Sequence, residues 1–346
     1  MTVFVTGGSG FVGRHLIPSL HAAGYPVRAL VRSAASETAV RAAGAEPVYG
    51  DLCDAASLTA AARGCDAIIH SAARMEMWGP YQAFHQVNVV GTDNVIAAAR
   101  TVGAQTLVQI GAAAVVKNIG PVVMADESAP LCKPRYAPYI KTKAISEERV
   151  RAANSPTLRT VVVRPPAIWG PGSMLLSELV KRARAGQWAW IAGGDYPFVS
   201  CHVQNVCAGA LLALQRGRGG EAYFLTDGEP QTLRQFLSGL LATRGVDGGE
   251  RSLPYGLALP VAWLVERAFK LLAPRREPPM TELVVRLMGQ EFTVTDARAR
   301  AELGYTNVIE REQGLAELHA EAAAQDMASE PDRPDKPGRL SDVRAS

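Results

Sequence analysis

The stretch VFVTGGSGFVG, residues 3–13, decides the fold of this chain. An apolar run, a glycine-rich turn and a helix-like segment follow one another, which predicts a strand, a tight turn and a helix. Gly7 permits the turn. Gly10 has no side chain that would block a phosphate at the turn, and Gly13 lets the helix pack closely on the strand. Backbone amides at the start of the helix then face any bound anion. The pattern predicts a site for the pyrophosphate of a dinucleotide, with Phe11 and Val12 at the helix start.

Apolar runs rich in valine and isoleucine recur along the first half of the chain, separated by segments with helical spacing of apolar residues. The predicted strands are residues 3–6, 27–31, 46–49, 67–70, 106–110 and 160–163. The predicted helices are residues 10–23, 36–43, 55–62, 84–102 and 139–152. This alternation predicts an α/β fold of Rossmann type, with a doubly wound parallel sheet covered on both faces. Pro18 predicts a kink in the first helix, because it removes one backbone hydrogen bond.

The length of 346 residues exceeds a common single-domain size, so we expect two parts. Residues 1–165 are predicted to form an NADP-binding Rossmann domain, to which a segment at about 195–230 returns. Proline- and glycine-rich segments then replace the regular alternation, so residues 166–325 are predicted to form mainly a smaller C-terminal substrate-binding lobe. Residues 326–346 contain three prolines and few apolar residues, and we expect a disordered tail there.

Charge and cysteine content narrow the class of protein. The 36 basic and 33 acidic residues give a formal charge of +3 without a long basic block, which argues against a nucleic-acid partner. The five cysteines lack the spacing of a zinc site or a disulfide framework, so we expect no metal and a cytoplasmic location. The longest apolar region, residues 257–272, is interrupted by charges, so we expect no transmembrane segment. Assembly as a homodimer is left open.

Tyr139 and Lys143 are four residues apart on a predicted helix, so their side chains share one face. A phenol titrates near ~10, and a nearby cation would help it to act near neutral pH. Together with the glycine turn, this pair resembles the extended short-chain dehydrogenase/reductase (NAD(P)-dependent epimerase/dehydratase) superfamily, and within it the 3-beta-hydroxysteroid dehydrogenase/isomerase-like family. The resemblance covers roughly residues 1–320. It also rests on residues 50–52, 70–73, 78–81, 88–92, 164–172 and 222–230.

The resemblance implies a role for each matching residue. Tyr139 would exchange a proton with a carbonyl or alcohol oxygen while hydride moves to or from the nicotinamide, and Lys143 would also hold the nicotinamide ribose. Further residues would contact the cofactor: Asp51 and Leu52 along the adenine, Ala72 and Ala73 at the sheet edge, and Pro166 and Ile168 behind the nicotinamide. Asn88 is interpreted as a polar brace, and His202 as structural.

The third member of the family's site is a serine whose hydroxyl bonds the reacting oxygen, and here the matching position is Ala112. Loss of one such donor typically costs ~10²–10³ in rate. Three explanations stay open. Substrate or water supplies the donor, another loop side chain does so, or the protein is a redox-silent homologue that binds cofactor for another purpose.

The end of the second strand suggests which cofactor binds. An acidic residue about 20 positions after the glycines would bind the ribose 2′-hydroxyl of NAD. Here Arg32 and Ser33 occupy these positions, and they could pair with a 2′-phosphate. We therefore expect NADP, with NAD as the alternative.

Apolar residues gather near the predicted catalytic pair, among them Met77, Trp78 and Trp169, with Ala112 beside them. They predict a hydrophobic steroid-, lipid- or polyketide-like substrate, and with the catalytic pair they favour an oxidoreductase that interconverts a ketone and a secondary alcohol. An epimerase or dehydratase that recycles its nicotinamide is the alternative. Residues 261–272 predict an amphipathic helix, which would serve as a lid or packing element or would touch a membrane surface.

Overall fold

The computed structural model describes residues 1–273 and 276–329, with side chains described up to residue 325. The strands are β1 (Val3–Thr6), β2 (Val27–Val31), β3 (Glu46–Tyr49), β4 (Ala67–His70), β5 (Thr106–Ile110), β6 (Val122–Ala125), β7 (Arg159–Arg164), β8 (Ala167–Trp169), β9 (Trp190–Ile191), β10 (Pro197–Phe198), β11 (Ser200–His202), β12 (Glu221–Phe224), β13 (Gln231–Thr232), β14 (Ser252–Leu253) and β15 (Phe292–Val294).

The helices are α1 (Phe11–Ala22), α2 (Ala34–Ala42), α3 (Ala55–Ala61), α4 (Tyr81–His85), α5 (Gly91–Val102), α6 (Pro138–Ala152), α7 (Met174–Arg184), α8 (Val203–Arg216), α9 (Leu233–Ala242), α10 (Tyr255–Leu272), α11 (Glu282–Met288), α12 (Ala297–Leu303) and α13 (Arg311–Ser329). A π-helical turn, Gln86–Val90, joins α4 to α5 without a break in helical backbone. A 3₁₀ turn, Ala113–Val116, follows β5.

Seven parallel strands form the central sheet in the order β12-β7-β5-β4-β1-β2-β3. The alternation of strands and helices requires crossover connections, and these place helices on both faces of the sheet. Successive side chains of β1 show the two faces: Val3 and Val5 pack with α1 and α8, whereas Phe4 packs with α3 and α5. The predicted Rossmann-type α/β class is confirmed.

Helix α1 is one continuous element that includes Pro18. Its buried side chains, Leu16, Ile17 and Leu20, lie on the face that packs against the sheet. Pro18 lies on the exposed side of the helix, where water can solvate the carbonyl that loses its partner. The helix therefore carries the glycine turn at one end without interruption by the proline.

A second, four-stranded sheet of order β13-β10-β15-β6 lies in the smaller lobe. Strand β6 belongs to the first 165 residues but pairs with β15, so the predicted Rossmann segment also contributes to the lobe. A separate apolar core holds the lobe together; it includes Trp190, Phe198, Phe236 and Leu240. Helix α13 continues through residues 326–329 of the predicted tail, and residues 330–346 lie outside the described part. Within the described ranges, no helix combines the length and the apolar character needed to cross a bilayer.

Candidate active site

The glycine turn between β1 and α1 has the shape that its sequence predicts. Gly7 adopts a left-handed backbone with φ of +76°, and its carbonyl accepts the Gly10 amide at 3.0 Å. A Cβ at Gly7 would stand 2.7 Å from the Ala72 amide nitrogen, and a Cβ at Gly13 would stand 2.2 Å from the Gly7 carbonyl oxygen. Glycine at these positions therefore lets β1, α1 and the end of β4 approach one another.

The turn fits a dinucleotide pyrophosphate. Gly10 is the N-terminal cap of α1 and carries no side chain that could occupy the amides of the first helical turn. A Cβ at Gly10 would meet the Gly7 oxygen at 3.2 Å and would project into the mouth of the turn. The amides of Phe11, Val12 and Gly13 are thus available to hold phosphate oxygens at the positive end of the α1 dipole.

Arg32 follows β2 at the same edge of the sheet. Its guanidinium is 72% exposed, and a guanidinium nitrogen lies 4.0 Å from an Asp51 carboxylate oxygen, which the fold brings over from the end of β3. The neighbouring Ser33 hydroxyl caps α2 by accepting the Ser36 amide at 3.3 Å. Arg32 is therefore an exposed cation at this edge with a loosely paired carboxylate, whereas the Ser33 hydroxyl is partly used in capping α2.

Leu52 and Ala72 lie on the inner side of this region. The Leu52 side chain is buried in the core beneath α5, so only the backbone of this residue is free to contact an adenine. A contact of Leu52 with the adenine stays a prediction, and it would have to be made by the backbone of this residue. Ala72 and Ala73 are partly exposed and follow β4, beside the glycine turn.

Tyr139 and Lys143 lie one turn apart on α6, as predicted. The Lys143 ammonium is buried and donates to the carbonyl oxygen of Ile110, the last residue of β5, at 2.8 Å. Burial lowers the pKa of Lys143 to about 8, although the nearby Glu147 carboxylate raises it. Burial raises the pKa of Tyr139 to about 12. The acidification of the phenol by Lys143 stays a prediction: in the structure the ammonium bonds the strand carbonyl, and burial determines the direction of the Tyr139 pKa.

Glu147 continues the face of α6 that carries the pair, one further turn along the helix. Its carboxylate accepts from Arg164 Nε at 3.0 Å, and both side chains are fully buried. Arg164 in turn lies over the Phe224 ring, with its guanidinium carbon 5.1 Å from the ring centroid. Sequence reasoning missed Glu147, although the spacing of Tyr139, Lys143 and Glu147 at every fourth residue was a usable signal.

A buried polar network connects the glycine turn to α6. The two ring nitrogens of His70 bond Thr6 Oγ1 at 2.7 Å and Thr92 Oγ1 at 3.0 Å. Thr92 Oγ1 also lies 2.9 Å from the hydroxyl of Ser146 on α6. Burial, together with the Lys143 charge, lowers the pKa of His70 to about 3. His70 is therefore neutral, and it links β1, the α4–α5 run and α6.

Asn88 holds the loop after β4 against the same helix. Its side-chain oxygen accepts the Arg74 amide at 2.7 Å, and its nitrogen donates to the Arg74 carbonyl and to Thr142 Oγ1, each at 3.1 Å. Thr142 lies between Tyr139 and Lys143 on α6. Asn88 is thus a brace between this loop and α6.

The neutral burial of His70 predicts a loss of stability in acid. An unfolded histidine titrates near 6.5, so from that pH down to about 3 the unfolded state binds a proton that the folded state does not. Lowering the pH from 7 to 5 should cost roughly 2 kcal/mol at this residue. Urea titrations at both pH values measure the loss. His70→Gln should reduce the pH dependence, to which the buried His202 also contributes, whereas substitution of the exposed His319 by Gln should leave it unchanged. Equal dependence in both variants would contradict the assignment.

Ala112 stands where β5 passes into the 3₁₀ turn. Its extended backbone is held by its neighbours: the Gly111 amide donates to the Val163 carbonyl at 2.7 Å, and the Ala113 amide donates to the Pro165 carbonyl at 2.8 Å. The Ala112 methyl group is nearly buried and offers no hydrogen-bond donor. Pro166 and Ile168, predicted behind the nicotinamide, follow on the partly exposed segment after β7. The loop thus has fixed geometry but lacks the expected hydroxyl.

The apolar residues predicted to line the substrate site lie partly at the surface and partly in the core. Met77 is exposed, and Trp78 is partly exposed with the Lys270 ammonium 5.3 Å from its ring centroid. Trp169 is 1% exposed, and its indole nitrogen donates to Asp227 Oδ2 at 2.6 Å. We therefore correct the expectation for Trp169: it packs in the core and does not face a substrate.

Asp227 also anchors His202. Its carboxylate accepts from the His202 amide at 2.6 Å and from the Ser200 hydroxyl at 2.8 Å, in addition to the Trp169 indole. The His202 ring packs edge-on against Trp169, with 4.7 Å between ring centroids. Burial lowers the pKa of His202 to about 4, although Asp227 opposes the shift. This arrangement agrees with a structural role for His202.

Known proteins are similar to this chain in sequence and in fold over nearly its whole length. A model of the 3-beta hydroxysteroid dehydrogenase/isomerase family matches residues 4–255. A 4-hydroxy-2-methyl-3-oxo-4-farnesyl-3,4-dihydroquinoline-1-oxide ketoreductase of Stigmatella aurantiaca is 43% identical over 319 residues, which cover 92% of this chain and 96% of that protein. A 2-alkyl-3-oxoalkanoate reductase of Stenotrophomonas maltophilia is 35% identical over 332 residues, which cover 94% and 100%. The structure of a dTDP-glucose 4,6-dehydratase from Streptomyces venezuelae with bound NAD is 25% identical with a TM-score of 0.73, covering 95% and 98%.

Proposed function

Because the chain belongs to the 3-beta hydroxysteroid dehydrogenase/isomerase family, within the extended short-chain dehydrogenase/reductase superfamily, we propose that it reduces a ketone of a hydrophobic substrate to a secondary alcohol with NADPH. The chain is an NAD(P)-dependent oxidoreductase. The observation that carries the proposal is the placement of Tyr139 and Lys143 on α6, directly against the end of β5.

Tyr139 is proposed to be the acid. With a pKa raised to about 12, the phenol keeps its proton at neutral pH and can donate it to a carbonyl oxygen. When bound, the reduced nicotinamide supplies the hydride that the carbonyl carbon takes up. The carbonyl π bond breaks, the O–H bond of Tyr139 breaks, and the alcohol gains one C–H and one O–H bond. The phenolate that remains is stabilised by the Lys143 ammonium and regains its proton from solvent.

The protonation state of Tyr139 favours reduction over oxidation. A tyrosine that acts as a base must first lose its proton, and burial makes that loss unfavourable. The two relatives from Stigmatella aurantiaca and Stenotrophomonas maltophilia are a ketoreductase and a reductase, which supports the same direction.

A hydrophobic substrate is supported by the surroundings of Tyr139. Its ring packs in an apolar cluster with Ile140 of α6 and with Leu283 and Leu287 of α11, and Ala114 borders the same cluster. The two relatives act on a farnesylated quinoline and on an alkylated oxoalkanoate, so the substrate of each carries an apolar group. We infer that an apolar part of the substrate lies against the α11 side chains.

The direct test measures consumption of NADPH. Purified protein with NADPH and a panel of ketones that carry long alkyl or prenyl groups should show loss of the near-ultraviolet absorbance of the cofactor. Secondary alcohols should appear in equal amount. Binding of NADPH without turnover on any ketone would favour the redox-silent alternative, whereas conversion of substrate without net loss of NADPH would favour an epimerase or dehydratase.

We infer the preference for NADP from Arg32. Its exposed guanidinium can form a charge-assisted bond to a 2′-phosphate, and such bonds contribute about 1.5–3 kcal/mol. Arg32→Ala should therefore weaken NADPH about 10- to 100-fold and NADH much less. Fluorescence titration with both cofactors measures this. Arg41→Ala, which changes an exposed arginine on the nearby α2, is the matched control. An unchanged NADPH affinity in the Arg32 variant would refute the assignment.

The variant Ala112→Ser tests what the missing serine hydroxyl costs the wild-type enzyme. The added hydroxyl should raise kcat/KM for a simple ketone, which has no second polar group, by about tenfold or more. For a substrate that supplies its own donor, the gain should be smaller. Steady-state kinetics on both kinds of ketone measure the difference. Turnover that appears only in the serine variant would contradict an active wild-type enzyme.

A further inference from the structure

Helix α10 turns an apolar face toward solvent. A stripe of exposed leucine and valine side chains follows the helical period, with Trp263 beside it: Leu257, Val261, Leu264, Leu271 and Leu272. Leu264 is 64% exposed and Leu271 is 82% exposed. The packing face is formed instead by the small residues Ala258 and Ala262, which contact Val285 of α11. An exposed apolar surface of this kind marks an interaction site.

The surface continues onto the loop between β4 and α4. Met75 and Met77 are exposed there, and the Lys270 ammonium lies over the Trp78 ring, which joins the end of α10 to this loop. We call the exposed face of α10 together with residues 75–78 the apolar patch. Two separate parts of the chain therefore contribute to one surface.

The charges around the patch are mainly positive. Of the three charged residues of α10, Glu266 is buried, and it accepts the Glu282 amide at 2.6 Å. Arg267 and Lys270 are exposed, and the Arg267 guanidinium carbon lies 4.2 Å from the Trp263 ring centroid. The exposed carboxylate of the loop, Glu76, is paired with Arg74 at 2.9 Å. The Lys270 ammonium is paired with Glu266 at 3.5 Å, so α10 keeps a net positive charge, with Arg267 as its exposed cation outside that pair. The patch thus presents apolar side chains beside an exposed arginine.

We propose that the apolar patch lies on the surface of a membrane that contains anionic phospholipids. Leucine, valine and tryptophan side chains enter the boundary between headgroups and acyl chains, and arginine and lysine bond lipid phosphates. A second copy of the chain fits less well, because a twofold interface would place the same patch, with its net positive charge, on both sides. The partner is therefore a lipid surface.

The patch is one helix away from Tyr139. Helix α11 uses Val285 to contact α10 and Leu283 to contact the apolar cluster of Tyr139. A substrate dissolved in the bilayer would thus have a short route to the catalytic helix. Membrane binding itself does not depend on the proposed reaction, because it is measured without cofactor or substrate.

Co-sedimentation of the full-length chain with lipid vesicles tests the proposal. We expect binding to vesicles of phosphatidylcholine mixed with phosphatidylglycerol, and weaker binding to phosphatidylcholine alone. The double variant Val261→Glu/Leu264→Glu should reduce the partition coefficient about tenfold or more, because two apolar side chains no longer enter the bilayer. The control Val123→Glu/Val308→Glu changes two comparably exposed valines, 60% and 62% exposed, elsewhere on the chain. It should bind vesicles like the wild type.

Several results would overturn the proposal. They are wild-type protein that stays in the supernatant with both lipid mixtures, equal binding to neutral and anionic vesicles, and equal loss of binding in the two double variants. Sedimentation velocity tests one further alternative. If the wild type is a dimer that does not bind vesicles, and the α10 double variant is a monomer, the patch is an interface with a second copy of the chain. Circular dichroism melting curves establish that each variant is folded.

Discussion

Tyr139→Phe should lower kcat for ketone reduction by about 10²–10⁴-fold, the usual contribution of a general acid, and leave NADPH affinity within about threefold. Phenylalanine preserves the ring, which packs with Ile140 and Leu283, so the fold and the apolar cluster should stay intact. What it removes is the proton that the partly buried phenol holds at neutral pH. Stopped-flow measurement of NADPH absorbance and fluorescence titration of the cofactor separate the two effects.

Tyr136→Phe is the matched control for this experiment. Tyr136 borders the same cluster, but its hydroxyl donates to the Asn118 carbonyl at 2.7 Å. Loss of that bond should change stability slightly and kcat little. A comparable fall in kcat for both variants would show that the effect comes from packing, and unchanged turnover in Tyr139→Phe would remove the proposed acid.

Gly13→Ala should destabilise the protein by about 3 kcal/mol and abolish measurable cofactor binding. The new Cβ would stand 2.2 Å from the Gly7 carbonyl oxygen and 2.6 Å from Gly8 Cα, so the backbone of the turn must move. That movement would displace the amides of the first turn of α1 from the positions that a pyrophosphate requires. Urea unfolding and cofactor titration measure the two losses.

Gly256→Ala is the matched control, since a Cβ at this helical position of α10 would stand in open space. It should leave cofactor binding unchanged and slightly raise stability, because alanine is the better helix former. If Gly13→Ala bound cofactor with wild-type affinity, the turn would not be the pyrophosphate site.

The sheet could be predicted from the sequence because its signals are local. The runs around Val3, Val27 and Val108 alternate with helical spacing, and Gly7, Gly10 and Gly13 have a spacing that few other folds require. The pairing of Tyr139 with Lys143 is equally local, because both lie within one helical turn.

Features that depend on distant residues could not be predicted. The sequence predicts that Trp169 lines the substrate site, but the fold brings Asp227 to its indole nitrogen and places it in the core. The pKa of Tyr139 is raised by burial, and the side chains that pack in its cluster include Leu283 and Leu287 of α11, far along the chain. The periodicity of α10 identifies its apolar face, but the small residues Ala258 and Ala262 decide which face packs.

The π-helical turn at Gln86–Val90 sets the angular phase between the two helices that it joins. Phe84, before this region, and Thr92, after it, are both buried, and so is Asn88 within it. A π-helical turn holds about one residue more than an α-helical turn, so the extra residue is absorbed locally while Phe84 and Thr92 both stay buried. The widened turn carries Asn88, whose side chain bonds the loop at Arg74 and Thr142 of α6. The extra residue in this short segment thus gives Asn88 its place between the loop and α6.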